Sequence, residues 1–239
     1  MARLSRIVIP NQPLHIMHRG NNRQDIFESV DDMVRIKEDI AFSLSKSDCY
    51  LHTYVIMSNH LHLLITPKDK QQLAKFMQSM ANRYVRYFNA KHQRSGTIWE
   101  GRFKSCLVDS EDYLFTLYKY IEMNPVKANM VETPPDYEWS SYRHNALGKP
   151  DSLITEHELY KDLGGTIEQR YNHYKALFDE LNITLQQVQI TKATLAGEVY
   201  GSDKFHTKIS KLISRKTKLA SHGGDRKSSE YKNQTDCPF

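Results

Sequence analysis

The stretch that most constrains the fold is a largely apolar run from residue 49 to residue 66, interrupted at Ser58-Asn59. Both halves are rich in β-branched, aromatic and aliphatic residues, as strands are, and the short break between them predicts an antiparallel hairpin. The second half carries His60 and His62, two residues apart. Because successive side chains of a strand point to opposite faces, both imidazoles are expected on the same face of the sheet.

The segments on either side of this hairpin add two strands and three helices. The patterns predict a strand at 14–18, a strand at 96–108 interrupted by Gly101, and helices at 31–46, 70–91 and 110–123. The resulting order is β-α-β-β-α-β-α. It predicts an α+β fold of the ferredoxin-like kind, in which an antiparallel sheet carries helices on one face, followed by a C-terminal helical extension.

The chain is therefore divided into three regions. Residues 1–147 form the first domain, residues 148–215 a helical extension, and residues 216–239 a basic tail that is expected to be disordered. In the extension, a long helical pattern at 155–183 precedes two shorter ones, at roughly 185–196 and 202–213. The shorter pair is compatible with a helix-turn-helix and equally with a plain helical hairpin.

Positive charge is concentrated near the end of the chain. Residues 202–239 hold nine Lys and Arg against four Asp and Glu, whereas the other 201 residues hold 24 of each sign. This distribution indicates a polyanionic partner, and a merely solubilising tail is the other interpretation of the same charge.

Composition also bears on the compartment. No apolar stretch approaches the roughly 20 residues of a membrane-spanning helix, and the first ten residues lack the hydrophobic region of a signal peptide. Cys49, Cys106 and Cys237 are widely spaced and form neither a zinc motif nor a disulfide framework. We therefore expect a cytoplasmic protein without membrane contact, associated with the nucleoid.

The helix predicted at 110–123 carries a second polar pair. Its apolar stripe includes Tyr118, whereas Tyr120 falls about 110° away from that stripe. Asn124 follows one turn later, on the same flank as Tyr120. Taken alone, this pair fits a half-exposed tyrosine and a helix-ending asparagine, and the histidine pair fits a hydrogen-bonded couple.

Taken together, the two pairs predict a different chemistry. Two imidazoles and one amide oxygen form a three-ligand metal site with open positions, which phosphate oxygens can fill. A phenol beside such a metal is a suitable nucleophile for a phosphodiester. Its attack leaves a phosphotyrosine bond and a free 3′-OH, so that the bond energy is kept for rejoining.

Four segments resemble one known family. They are the His60-Leu-His62 strand, the Tyr120-x-x-x-Asn124 helix followed by Pro-Val-Lys-Ala, the Trp99-Glu-Gly-Arg-Phe-Lys-Ser105 segment and the Arg19-Gly-Asn-Asn22 loop. In order and spacing, over about residues 8–145, they closely resemble the REP-associated tyrosine transposases. These are domesticated relatives of the single-tyrosine HUH transposases of IS200-like bacterial insertion sequences.

The resemblance implies an activity and a set of roles. It implies metal-dependent cleavage and joining of single-stranded DNA at imperfect hairpins of repetitive extragenic palindromes, with Mg²⁺ or Mn²⁺ as the cofactor. By position, Tyr120 is the nucleophile, and His60, His62 and Asn124 are both catalytic residues and metal ligands. The mobile-element relatives carry Gln where Asn124 stands, while the REP-associated branch has Asn. The family also leaves a monomer or a homodimer open.

DNA contacts are expected from cations and amides beside the first strand and before the nucleophile helix. In the family, the N-terminal segment and nearby loops read a short tetranucleotide next to the hairpin. Phosphate-positioning cations and groups that contact unpaired bases are needed there. The candidates are Arg3, Arg6, Arg19, Asn21, Asn22, Arg23, Arg102 and Lys104.

Three other classes of protein share some of these sequence features. A non-catalytic regulator that binds hairpin DNA is the main alternative, and the intact histidine and tyrosine motifs argue against it. Many relaxases and replication initiators present two tyrosines one turn apart, whereas Thr116 and Asn124 flank Tyr120 at that distance. A hydrolase that activates water needs a carboxylate base near the histidines, and none occurs from residue 57 to residue 67.

Overall fold

The computed structural model describes residues 5–218, which are organised around one five-stranded sheet. The strands of this part of the chain are β1 (Leu14–Arg19), β2 (Cys49–Ile56), β3 (His60–Pro67), β4 (Lys104–Val108) and β5 (Val199–Tyr200). Its α-helices are α1 (Val30–Ser45), α2 (Lys70–Lys91), α3 (Ser110–Glu122), α4 (Asn124–Lys127), α5 (Tyr142–Leu147), α6 (Glu158–Lys161), α7 (Ile167–Glu180), α8 (Thr184–Ala196) and α9 (Asp203–Ser210).

The strands lie in the order β2-β3-β1-β4-β5. β1 pairs antiparallel with both β3 and β4, so that Leu14 lies opposite Ile65 on one side and Leu107 on the other. β2 pairs antiparallel with β3, and β5 runs parallel to β4 at the edge. The first seven elements follow the predicted order, and the ferredoxin-like plan is confirmed.

The two long helices begin where their capping residues stand. The Ser29 hydroxyl accepts from the Asp32 backbone N–H, and the Asp32 carboxylate accepts from the Ser29 backbone N–H, which forms a capping box at the start of α1. The Asp69 carboxylate accepts from the first N–H groups of α2. Each cap satisfies backbone donors that the helix itself leaves unpaired, and each is worth about 1 kcal/mol.

The face of the sheet that carries Leu61 and Leu63 is covered by α1 and α2. Ile36 and Ile40 of α1, like Phe76 of α2, are fully buried against it. Burying one such side chain contributes roughly 1.5–3 kcal/mol, so this layer supplies the main core of the domain.

The opposite face carries His60 and His62 and is covered by α3 and α8. Ile121 of α3 and Ile190 of α8 are buried in the same apolar cluster as Leu64 of β3. The prediction of helices on one face is therefore wrong for α3, which shares the opposite face with α8 of the extension because its apolar stripe packs against Leu64 and its neighbours there. The extension also adds strand β5 to the sheet.

Two predicted elements are shorter than expected. The helix predicted over 155–183 is divided into α6 and α7, because the chain turns back closely at Gly164. A Cβ atom there would lie 2.5 Å from Cβ of Gln169, so the turn needs glycine. The strand predicted over 96–108 is reduced to β4, and Trp99 makes only an isolated bridge with Gly20.

The end of the extension also differs from a helix-turn-helix. Between α8 and α9 lies β5, which hydrogen-bonds to β4, and a helix-turn-helix contains no such strand. Most of the tail that is predicted to be disordered, with Cys237, lies outside the described residues. None of the helices between residues 5 and 218 is long and apolar enough to cross a membrane.

Candidate metal and nucleophile site

Strand β3 brings the two histidines to the same face, beneath α3 and α8. His60 is 6% exposed, His62 is 2% exposed and Tyr120 is 5% exposed. The common face of the histidines agrees with strand alternation. The position of Tyr120 does not agree with the expectation of a half-exposed side chain away from the packing face. α8 covers the flank of α3 that helical periodicity assigns to solvent.

The orientation of His60 is set by its neighbour Asn59. Asn59 Nδ2 donates to the carbonyl oxygen of Arg23 at 3.0 Å, which turns Asn59 Oδ1 toward His60 Nδ1 at 2.5 Å. An amide oxygen only accepts, so His60 Nδ1 carries the proton and Nε2 carries the lone pair. His60 Nε2 is buried and has no hydrogen-bond partner among the described residues. Burial, with the nearby Arg19, lowers the pKa of His60 to about 4, so the ring is neutral.

His62 lies beside this ring. The two ring centroids are 5.0 Å apart and the rings are nearly perpendicular, at 85°. Burial holds the pKa of His62 well below its usual value, so this imidazole is neutral as well. Its Nδ1 atom lies 2.8 Å from Nε2 of His15, a third buried histidine on β1. Neutral imidazole is the form that ligates a metal.

Two neutral imidazoles on one face can ligate a divalent ion, but the remaining ligands cannot be carboxylates of this part of the chain. Within residues 5–218 no group of three His, Cys, Asp or Glu side chains could hold a metal. A site on His60 and His62 therefore needs an amide oxygen or oxygens from a substrate. The unpartnered His60 Nε2 atom is the observation that supports a ligand here, because buried polar atoms are nearly always satisfied.

Asn124 lies at the first position of α4, and its hydrogen bonds stay within the adjoining helical turn. Its Nδ2 donates to the carbonyl oxygen of Tyr120 at 2.8 Å and to that of Ile121 at 3.1 Å. This leaves Oδ1 without a hydrogen bond from any described residue. The acceptor of the amide is thus free of protein donors in this part of the chain, although the contacts of Asn124 do not include either histidine.

Tyr120 contacts His62 of β3, His15 of β1 and the extension. Its ring meets the rings of His62 and His15 edge-on, at centroid distances of 5.8 and 5.4 Å. Its hydroxyl lies 3.1 Å from Thr191 Oγ1 on α8. Burial raises the pKa of the phenol to about 12. The phenol is therefore protonated at neutral pH and needs help to act as a nucleophile.

A cation is placed against this ring. Lys127 Nζ lies 4.7 Å from the centroid of Tyr120, one turn after Asn124. Burial, and to a smaller extent Lys119, lowers the pKa of Lys127 to about 8. A partly desolvated ammonium group interacts favourably with an aromatic ring and more strongly with a phenolate.

Part of the predicted DNA-contact set gathers around one cavity. Arg6, Arg102 and Lys104 line a space of about 220 Å³ together with Arg215. The Arg6 guanidinium stacks over Phe103 at 3.6 Å and donates to its carbonyl oxygen. Burial, with the charge of Arg102 nearby, lowers the pKa of Arg6 to about 10. The cavity is open and basic, which suits a phosphate backbone.

The remaining members of the predicted set lie at the end of β1. Arg19 forms an ion pair with Glu100 at 2.6 Å, so the Glu100 carboxylate partly neutralises its charge. Asn21–Arg23 forms an exposed 3₁₀ turn in which Asn22 and Arg23 have positive φ, a conformation that Asn adopts more readily than most residues. Arg3 lies outside the described residues.

The sequence interpretation missed His15, Lys127, Thr191 and Thr194. His15 alternates with Leu14 and Ile16 in β1, and this alternation could have identified it as a residue of the histidine face. Lys127 is part of the quoted Pro-Val-Lys-Ala segment. The threonines of α8 carry no comparable signal, because residues 148–215 match none of the motifs that were found.

Comparison with known families and proteins gives one match and one absence. Residues 9–124 match the family model described as "Transposase IS200 like". No curated protein matches the chain.

Solved structures also resemble the chain. One described as a REP-associated tyrosine transposase bound to a REP hairpin is 17% identical, with a TM-score of 0.51 over 66% of this chain and 99% of that chain. A protein from Deinococcus radiodurans R1, described as a candidate transposase, is 15% identical, with a TM-score of 0.35 over 51% of this chain and 96% of that chain. The first likeness confirms the fold, and the second adds no argument.

Proposed function

Because residues 9–124 of this chain belong to the IS200-like transposase family, we propose that the protein is a metal-dependent DNA strand transferase of the REP-associated tyrosine kind. It cuts single-stranded DNA beside imperfect hairpins, holds one end as a phosphotyrosine and joins that end to another strand. The observation that carries the proposal is the contact between the Tyr120 ring and the His62 ring, 5.8 Å apart within one buried cluster.

Tyr120 performs the covalent step. Its phenol oxygen forms a bond to the scissile phosphorus, and the bond from phosphorus to the 3′ oxygen breaks. The phenol proton leaves to water and the departing 3′ oxygen takes a proton from water, so atoms and charge balance. One phosphodiester replaces another, and the 3′-OH of a second strand can therefore reverse the step without an external energy source.

The neighbouring residues prepare this step. His60, His62 and Asn124 would hold the divalent ion, Mg²⁺ or Mn²⁺, which would draw charge from the phosphate oxygens when bound. The Lys127 ammonium lies 4.7 Å from the Tyr120 ring and stabilises the negative charge that develops on the phenol oxygen.

A hairpin DNA partner is supported by two observations. The structural neighbour with the same fold is described as bound to a REP hairpin. In this chain, Arg6, Arg102 and Lys104 line an open cavity at the start of β4, which pairs with the end of β1. Arg19, Asn21, Asn22 and Arg23 lie at the same end of β1, and we assign them, with Arg3, to contacts with the strand beside the hairpin.

The extension takes part in this function. We assign residues 1–147 to the catalytic domain and residues 148–215 to a cover over its active face. α8 buries Tyr120 and holds its hydroxyl at Thr191, so this contact opens when DNA reaches the nucleophile. Such an enzyme acts on the nucleoid in the cytoplasm, where the buried free thiols of Cys49 and Cys106 stay reduced.

The buried position of Tyr120 also favours a second candidate, a regulator that binds hairpin DNA without cutting it. The two candidates are separated by incubating the protein with hairpin DNA from repeats of its own genome, with Mn²⁺ or Mg²⁺. Covalent protein–DNA adducts are then resolved on a denaturing gel, while binding is measured separately by a mobility shift.

Tyr120→Phe is the test variant and Tyr118→Phe is its matched control. Tyr118 is on the same helix and fully buried, and its hydroxyl has no hydrogen-bond partner within residues 5–218, so its loss leaves no group unpaired. We expect a metal-dependent adduct in the wild type and in Tyr118→Phe, and none in Tyr120→Phe. Hairpin binding without any adduct in the wild type supports the regulator instead.

A further inference from the structure

We propose that Thr194 of α8, acting through His15 of β1, sets the tautomer of His62 so that its Nε2 lone pair faces the metal position. Both are positioning residues, and Thr194 lies outside the family segment at residues 9–124. The inference rests on the proposed function, because it gives His62 the role of a metal ligand.

The three side chains form a continuous hydrogen-bonded chain. His62 Nδ1 lies 2.8 Å from His15 Nε2, and His15 Nδ1 lies 2.8 Å from Thr194 Oγ1. The planes of the two imidazole rings differ by only 9° and their centroids are 5.0 Å apart, so the rings meet edge to edge and the two nitrogens face each other. Each nitrogen in the chain therefore has one specific partner, and the direction of every bond depends on where the first proton lies.

The direction is decided at Thr194. Its hydroxyl donates to the carbonyl oxygen of Ile190, one turn earlier on α8, at 2.8 Å. A hydroxyl has one proton and two acceptor positions, so Thr194 Oγ1 must accept from its other neighbours. These are His15 Nδ1 at 2.8 Å and the Cys106 thiol at 3.3 Å. This arrangement uses all three contacts, whereas a hydroxyl that donates to His15 would forgo the bond to Ile190.

The remaining protons follow in order. His15 donates from Nδ1 to Thr194 and, as a neutral ring, presents a lone pair at Nε2. It is fully buried and takes part in none of the ion pairs of residues 5–218, so a charged ring would be strongly unfavourable. His62 Nδ1 must then carry the proton that it donates to His15. His62 Nε2 is left with the lone pair.

His60 and His62 thus have the same tautomer, and separate hydrogen bonds fix it in each. The Asn59 amide oxygen fixes the Nδ1–H tautomer of His60, and the Thr194–His15 chain fixes that of His62. The opposite tautomer of His62 would present an N–H to the metal and could not ligate it. Hydrogen bonds to the second nitrogen of a ligating histidine typically change metal affinity by roughly 10-fold or more.

The first test is made on the full-length protein without metal. Long-range ¹H–¹⁵N correlation spectra distinguish the two neutral tautomers of each histidine, and the His62 signals are assigned with His62→Asn. We expect the Nδ1–H tautomer for His62 in the wild type and in Thr194→Ser. In Thr194→Val, which removes the acceptor, the tautomer should become mixed or reverse. An Nε2–H tautomer in the wild type overturns the inference.

The second test measures Mn²⁺ binding by calorimetry. We expect Thr194→Val and His15→Leu to bind Mn²⁺ roughly 10-fold more weakly than the wild type. Thr194→Ser and His15→Gln, whose amide oxygen can accept from His62 Nδ1, should retain most of the affinity. Thermal unfolding of every variant identifies any loss that is due to misfolding, and the Ser and Gln variants keep the comparison valid if Val or Leu is poorly folded.

The two proposals fail in different ways. If the wild type forms metal-dependent adducts while Thr194→Val keeps both full Mn²⁺ affinity and the wild-type His62 tautomer, the inference is wrong and the proposed function stands. If the wild type shows the Nδ1–H tautomer but forms no adduct and binds no Mn²⁺, the proposed function is wrong, and with it the role of this chain in metal binding.

Discussion

The Tyr120 hydroxyl lies 3.1 Å from the Thr191 hydroxyl, so the proposed nucleophile is hydrogen-bonded to a helix outside the family segment. Three residues further along the same helix, Thr194 contacts the histidine chain. α8 therefore touches both parts of the proposed site, the nucleophile and the metal ligand. It also covers them, since Tyr120 and His62 are almost completely buried.

We expect Thr191→Val to form the covalent adduct faster than the wild type. The substitution removes the hydrogen bond that holds the Tyr120 hydroxyl against α8, and one such bond is worth about 1 kcal/mol, or roughly fivefold in rate. The initial rate of adduct formation is measured with hairpin DNA and Mn²⁺. Thr191→Ser keeps the hydroxyl and should match the wild type. A slower rate in Thr191→Val would mean that the hydroxyl assists the phenol.

We expect mutation of Arg102 or Lys104 to Gln to weaken binding of hairpin DNA and to lower its salt dependence. Each cation that contacts a phosphate releases about one counterion, so the slope of log K against log salt should fall by about 1 per substitution. Lys75→Gln and Arg86→Gln on the outer face of α2 are the matched controls, because they remove the same charge far from the cavity. Equal effects at both places would contradict the assigned contact surface.

Glu122 is expected to be essential for holding α3 in place. Its carboxylate is fully buried and accepts four hydrogen bonds, from Ser141 and Tyr174 at 2.7 Å, from Asn145 at 2.8 Å and from Thr53 at 3.1 Å. Glu122→Leu leaves these donors buried without an acceptor and should lower the free energy of unfolding by roughly 3–5 kcal/mol. Denaturant titration measures the loss.

Glu122→Gln provides the matched comparison for this prediction. Burial raises the pKa of Glu122, although the four hydrogen bonds oppose that shift, so the neutral amide can replace part of the network. The loss should be clearly smaller than in Glu122→Leu. If the two variants are equally unstable, the cost comes from shape rather than from unpaired donors.

His52 should make the protein less stable as the pH falls below about 6.5. Burial lowers its pKa to about 4, against 6.5 in the unfolded chain. Between these values the unfolded state binds the extra proton, so the free energy of unfolding rises with pH across this window. At neutral pH the contribution is fully present, and below pH 4 about 3 kcal/mol has been lost.

The contribution of His52 is measured as the difference in unfolding free energy between two proteins. Unfolding free energies of the wild type and of His52→Gln are compared from pH 4 to pH 7, because other buried histidines contribute equally to both proteins. The gap between the two proteins should narrow as the pH falls. A constant gap would mean that the pKa of His52 is the same in the folded and the unfolded chain, so that burial does not lower it.

The sequence was sufficient for the plan of the sheet. Residues 49–66 are two largely apolar runs separated by a short polar break, and the chain forms β2 and β3 there with His60 and His62 on one face. α2 was predicted to its ends, since its apolar spacing is regular and Asp69 caps it. These features depend on residues that are close together in the chain. Periodicity and capping can therefore be recognised from the local sequence without knowledge of the rest of the fold.

The extension was predicted less well. The helical pattern at 155–183 hides the turn at Gly164, where the chain approaches Gln169 too closely for a side chain. Strand β5 has only two residues and no sequence pattern of its own. It forms because its backbone hydrogen-bonds in parallel to the free edge of β4. Pairing between residues about 90 positions apart is not encoded in any local spacing.

What the sequence by itself determined is the set of reactive groups: a histidine pair on one strand and a tyrosine with an asparagine on one helix. What only the tertiary structure decided is their environment. The burial of Tyr120 and the proton chain from Thr194 through His15 to His62 both arise where α8 packs on the sheet. Burial, pKa and tautomer depend on which groups surround an atom in space, and those groups come from distant parts of the chain.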